Sequence, residues 1–259
     1  MNSLGIRMKG YEFISRLFLM KRNPVIIRVD GKAFHTFTKG MNKPFDQPLI
    51  ETMQETALEL CKNIQGVKLA YTQSDEISLV LTDYDKIDTQ GWFNYNLQKM
   101  CSISASMTTL YFNNIFNNKF YDIHVETNKR FLDGEITVEE LEDAIRIYGS
   151  KRYKALFDSR AFSIPKDEVC NYFIWRQQDA TRNSIQMVGQ ANFSHKELQG
   201  KNCNQIQDML LTQKDINWNN LATPLKRGSC VIKDDNGKWY IDNNIPIFTE
   251  DRDYVQKLI

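Results

Sequence analysis

The stretch 70–81, AYTQSDEISLVL, constrains this chain more than any other. Two runs suited to strands, 67–72 and 77–82, flank Ser74, Asp75 and Glu76. Adjacent acids are poor strand formers. They read as the tip of a β-hairpin, with both carboxylates at one end of a sheet. A second short, β-branched run, 25–29, ends in Asp30-Gly31. If the two runs are neighbouring central strands, Asp30 and Asp75 converge although 45 residues separate them. Paired carboxylates at strand ends suit a hard divalent cation, Mg²⁺ above all, which takes oxygen ligands and leaves positions open for substrate phosphates. The competing reading is two turn-forming acids on separate loops. Glu76 is then a further ligand, or a partner that orients one.

The rest of the chain predicts an α+β protein. Residues 4–20 have near-helical apolar spacing and predict an amphipathic helix, broken by Asn23-Pro24. Helical spacing returns at 49–63 and at 93–116, followed by a polar loop at 113–118. Thr137 and Glu140 form a capping-box pattern before a surface helix that reaches 148. An alternating strand is predicted at 156–164, a helix at 166–186, and short helices at 195–198 and 203–211. Strands at 229–233 and 239–242 pair across Asn236-Gly237, a type I′ signal. This order predicts an antiparallel sheet with helices on one face, of the ferredoxin-like kind. No repeat or linker divides the 259 residues.

Composition narrows the function. Charged residues make up 25% and apolar residues 42%, as in ordinary globular proteins. No apolar run has the length of a membrane span. The five cysteines are scattered without a Cys-x-x-Cys pair, which disfavours a zinc site or disulfide framework and fits a reducing cytoplasm. The net charge is +1, yet residues 1–43 hold nine Lys/Arg against two acids. A basic segment beside a cation site suits a phosphate-rich substrate. Main-chain amides of the turn from Gly31 to Phe34 are candidate phosphate donors, with charge from Lys32, Lys43 and Lys99. His35 is a phosphate donor or a buried, hydrogen-bonded histidine. Arg160, Arg176 and Arg182 are candidate RNA contacts, or else surface ion pairs. Trp175, Trp218 and Trp239 read as core rather than as base-stacking platforms. Gly-x-Ser-x-Gly, Walker A and His-Glu-x-x-His patterns are missing from the sequence.

RVDGKAFHTF, KPFD and YTQSDEISLVL, supported by YFIWRQQDATRNSI and KRGSCVIK, resemble the tRNA-His guanylyltransferase family over about residues 10–233. The resemblance implies a palm-like catalytic domain similar to 5′–3′ polymerases, with a palm core at about 20–185 and a C-terminal helical and hairpin extension over 186–259, all one domain. It implies nucleotide addition in the 3′–5′ direction, two Mg²⁺ ions, ATP and GTP as substrates, tRNA as partner, a homotetramer and a cytoplasmic location. Matched residue by residue, Asp30, the Gly31 carbonyl and Asp75 fall on metal positions, and Glu76 on the acid beside them. Lys32, Ala33, Phe34, His35, Lys43, Asp46, Ser74 and Lys99 fall on nucleotide and triphosphate positions. Asn183 joins Arg160, Arg176 and Arg182 as an RNA-binding candidate.

One departure matters. Eukaryotic members carry His-Ile-Asn-Asn-Leu-Tyr-Asn after the Trp-Arg-Gln-x-Asp-x segment. Here Ala180 leads into TRNSIQM instead. The chain is similar in this to the bacterial and archaeal branch, as is FSHKELQGKNC (193–203). That branch implies template-dependent repair of 5′-truncated tRNA. Non-templated G addition to tRNA-His, a nucleotidyl or diguanylate cyclase, and a non-catalytic RNA-binding protein stay open as alternatives.

Overall fold

The computed structural model describes residues 3–259. Its first half is a β-α-β-β-α-β unit. β1 (Val25–Gly31) begins after Pro24 and leads to a one-turn helix α2 (Phe34–Phe37). α3 (Gln47–Asn63) follows, then the hairpin of β2 (Val67–Gln73) and β3 (Glu76–Leu81). α4 (Leu97–Leu132) and α5 (Val138–Gly149) lead to β4 (Phe157–Ser163). α6 (Val169–Asn192), α7 (His195–Leu198) and α8 (Cys203–Lys214) precede the hairpin of β5 (Ser229–Lys233) and β6 (Trp239–Asp242). The six strands stand in the order β4-β1-β3-β2-β5-β6, and every neighbouring pair is antiparallel. The C-terminal hairpin thus continues the same sheet through β2.

Both faces of the sheet are covered, not one as expected. Val25, Ile27 and Val29 of β1 point to the core shared with α3 and α4, while Ile26 joins Val80, Tyr172 and Phe173 under α6. Every residue of β3 is buried, as a strand sandwiched between helix layers must be. α6 extends beyond the sheet, where its second half packs on Ile206 and Leu210 of α8.

Three local expectations are corrected. The polar run 113–118 lies inside the 36-residue α4. Asn113 exchanges two hydrogen bonds with the backbone of Ala155, and Asn117 accepts from Arg152 Nε at 2.6 Å. Tertiary partners satisfy the asparagines, so they do not break the helix. The N-terminal helix α1 (Ser3–Ile14) is shorter than expected and has no buried residue. Its apolar side chains, with Phe13 and Ile14 the most prominent, face solvent all round. The β5–β6 turn is not type I′. Gly237 has φ +77° but Asn236 does not have positive φ, and the Gly237 amide donates to the Asp234 carbonyl. That is a type I turn followed by a glycine bulge.

Candidate active site

The sheet brings the two predicted acids together. Asp30, near the end of β1, lies directly across from Glu76, the first residue of β3. The Gly31 amide donates to the Asp75 carbonyl at 3.1 Å. This bond lays the Ser74-Asp75 turn beside Asp30-Gly31. Ser74 adopts φ +50° to close the turn, and its hydroxyl donates to Asp75 Oδ1 at 3.1 Å. Burial, reinforced by the charge on Asp30, pushes the Asp75 carboxyl above its ordinary range. Its own amide and the Ser74 hydroxyl pull in the other direction. Arg160 Nη2 stands 4.0 Å from Asp30 Oδ2 and is more closely held by Asp158 at 3.0 Å.

This arrangement fits a hard divalent cation. Two carboxylates are held side by side by strand hydrogen bonds, and the charged form of one is disfavoured without a counter-ion. The described residues hold no cluster of three or more Asp, Glu, His or Cys side chains suited to a metal. Asp30 and Asp75 could supply two carboxylate oxygens to such an ion.

Glu76 is not available as a further ligand. Arg176 grips it with Nε at 2.7 Å and Nη2 at 2.8 Å, and both side chains are buried. The same guanidinium reaches Asp179 at 3.0 Å. Arg176 thus has no face for RNA. It fixes α6 to the strand that carries the acids.

Beyond Asp30 the chain turns sharply. A Cβ on Gly31 would lie 2.2 Å from Phe34 Cδ2, so only glycine lets the ring tuck under the strand end. Phe34 is buried among Phe37, Phe112 and Phe157, with ring centroids 4.9–5.5 Å away. Its side chain anchors the turn. The Lys32 amide is taken by the Leu156 carbonyl at 2.8 Å, and that of Gly31 by Asp75. The amides left for an anion are those of Ala33, Phe34 and His35, one step further along than expected. Ala33 sits at φ +54°, which turns this segment outward. His35, Lys32 and Lys43 are exposed, so His35 is not a buried histidine.

Two nucleotide candidates have other partners in this structure. Asp46 is a buried helix cap. It accepts from the amides of Leu49 and Asn42 and from the Tyr148 hydroxyl. Lys99 stands in the first turn of α4. That helix runs antiparallel to β4, with Ser104 on Ser159, Thr109 at Phe157 and Asn113 at Ala155. Its start therefore lies at the end of the sheet opposite Asp30. There Lys99 shares a cleft with Glu12, Arg16 and Phe18, and its ammonium lies over the Phe93 ring.

The sequence matches the family model described as tRNAHis guanylyltransferase over residues 5–165. The chain belongs to that family. A guanylyltransferase-family chain is a nucleotidyltransferase, and the fold agrees. The structure of a bacterial tRNA(His) guanylyltransferase-like protein in complex with ATP is 47% identical, covers 99% of each chain and superposes with a TM-score of 0.85. A bacterial protein of the same description in complex with GTP is 42% identical over 99% of each chain, with a TM-score of 0.75. The tRNA(His) guanylyltransferase of Saccharomyces cerevisiae is 25% identical, over 81% of this chain and 82% of its own.

On this guanylyltransferase framework the structure adds residues that the sequence reading passed over. Asp158 lies directly across from Asp30 on β4, two places before Arg160 and on the same face. The period of two in LFDSRAF carried that signal. Arg28 lies across from Arg160, and its Nε is buried without a hydrogen-bond acceptor. Trp175 is 52% exposed, not core. Of the RNA candidates, Arg160 and Arg182 reach solvent. Arg182 and Asn183 both lean on Asp179. Among the described residues no helix is long and apolar enough to cross a membrane.

Proposed function

We propose that this protein adds nucleotides in the 3′–5′ direction to the 5′ end of truncated tRNA, with the opposing strand as template. The observation that carries the reading is the Asp30–Asp75 pair beside a turn whose Ala33, Phe34 and His35 amides have no main-chain acceptor among the described residues. The structurally similar bacterial proteins complexed with ATP and with GTP support nucleotide binding at this fold. The β-α-β-β-α-β unit is read as a polymerase palm spanning about residues 20–185, with 186–259 an extension of one catalytic domain.

The residues divide the work by chemistry. Asp30, Asp75 and the Gly31 carbonyl would hold Mg²⁺, which when bound supplies an acidified 3′-hydroxyl and charge neutralisation at phosphate. The amides of Ala33, Phe34 and His35 cradle the triphosphate, and Lys32 and Lys43 add positive charge. Ser74 orients Asp75. Arg160 and Arg182 meet the RNA backbone. A 5′-monophosphate end is first joined to AMP from ATP, with pyrophosphate leaving. The 3′-hydroxyl of the incoming nucleotide then attacks that phosphate and AMP departs. Phosphoryl transfer asks the protein mainly for positioning and charge, and the site offers little else. The fully exposed apolar helix α1 gives the expected homotetramer a surface to assemble through.

The activation step is tested directly with α-labelled ATP and 5′-monophosphorylated truncated tRNA. Label is expected on the RNA in a phosphatase-resistant 5′ cap, and a 5′-triphosphate tRNA should be extended without it. Extension of the monophosphate end with no ATP requirement contradicts the two-step scheme.

A further inference from the structure

Half of the indole of Trp175 on α6 is open to solvent. Its position is tied to the acids by three contacts. The next residue, Arg176, holds Glu76 across from Asp30, and its guanidinium lies 4.4 Å from the Trp175 ring centroid. The Arg28 guanidinium, two places before Asp30 on the same face of β1, lies 5.7 Å from that centroid. Tyr172 packs its ring edge against the indole at 5.9 Å. Arg176 is buried and Arg28 half-buried, so these groups support the ring from the protein side. The indole still leaves about half of its surface open, 52% by relative exposure, where a planar partner could lie. Arg28 adds an independent sign of a ligand. Its Nε is buried with no acceptor. A guanidinium whose Nε lacks an acceptor thus lies beside a half-exposed indole.

We propose that Trp175 is a stacking platform for a nucleobase whose phosphate lies toward Arg28, and that it seats that base beside Asp30 and Asp75. This inference rests on the nucleotidyltransferase reading above and adds a residue to it. Stacking on an aromatic ring tolerates any base, which suits an enzyme that takes base choice from a template. The base belongs either to the RNA terminus or to a free nucleotide. Two along the strand from Asp30 is roughly 7 Å, a span either can bridge.

The test uses the full chain as wild type, Trp175→Phe and Trp175→Ala. The probes are ATP alone and an acceptor-stem RNA hairpin lacking its 5′ nucleotide. Binding is followed by tryptophan emission and by anisotropy of labelled probe, with thermal midpoints as a fold control. Wild-type emission should be quenched on binding, and that quench should vanish in Trp175→Phe, which keeps affinity within about threefold. Trp175→Ala should bind roughly tenfold or more weakly. Loss toward the hairpin assigns the base to RNA, and loss toward ATP assigns it to the nucleotide. Unchanged affinity of Trp175→Ala for both probes overturns the proposal, as does an identical quench in wild type and Trp175→Phe. If wild type makes no product on truncated tRNA while the Trp175 effects appear, the polymerase reading fails and the platform stands. Normal product with no Trp175 effect has the opposite meaning.

Discussion

Replacing Asp75 by asparagine is expected to abolish turnover while leaving the chain folded and slightly more stable at neutral pH. The geometry gives the first half. In the proposed function Asp75 is one of two carboxylates that would hold Mg²⁺, and asparagine retains its shape without its charge. Loss of such a group costs on the order of a thousandfold or more in rate. The second half follows from the raised Asp75 pKa, caused first by burial and then by Asp30. A carboxyl raised above its unfolded value favours folding while protonated. That contribution is present below the unfolded pKa, about 3.9, and is lost as pH rises through the folded one. At pH 7 wild type carries the cost and Asp75→Asn does not. A thermal midpoint above wild type at pH 7, with the gap closing toward about pH 4, is the expected pattern. Mg²⁺ should raise the midpoint of wild type and leave that of Asp75→Asn nearly unmoved. A variant that retains turnover within about tenfold contradicts the assignment.

Replacing Arg176 by methionine is expected to destabilise the whole fold rather than merely weaken its grip on RNA. The substitution strands the buried carboxylate of Glu76, which has no other ion-pair partner among the described residues. Removing one side of a buried pair costs about 3–5 kcal/mol. At roughly 2–4 °C per kcal/mol for a chain of this size, the midpoint should fall by roughly 6–20 °C. The double change Glu76→Leu with Arg176→Met removes both charges and should recover most of that loss. Calorimetry of the two variants decides the matter. A single variant with a wild-type midpoint and weakened tRNA affinity would restore Arg176 to the RNA-binding face and overturn its structural role.

These two residues show where sequence reading succeeds and where it stops. The convergence of Asp30 and Asp75 was legible because strands announce themselves: a β-branched run ending in Asp-Gly, and a hairpin broken by two acids. Antiparallel pairing then leaves few arrangements, and the observed order β4-β1-β3-β2 is the ferredoxin-like one. What failed depends on contacts between distant segments. The asparagines of α4 look like a loop until Ala155 and Arg152 satisfy them. Arg176 looks like an exposed cation until Glu76 turns it inward. Lys99 carries the right charge at the wrong end of a helix, and helix direction is set by the fold. Trp175 was read as core because an isolated tryptophan carries no sign of which face it shows. Second-face coverage by α6 was hidden because that helix also serves α8, which blurs its apolar stripe.

The central claim is templated addition at a 5′ end, and one measurement bears on it most directly. Truncated tRNA lacking its first nucleotide, with a labelled 5′ end, is incubated with Mg²⁺, ATP and each nucleoside triphosphate singly. The base opposite the missing position is then changed to each of the four. The account predicts that the added nucleotide follows that base by Watson–Crick pairing. The prediction rests on the TRNSIQM segment that begins at Thr181, where the resemblance to the eukaryotic members breaks down. Addition of G whatever the opposing base would contradict templating, and no addition on any of the four would contradict the polymerase reading itself.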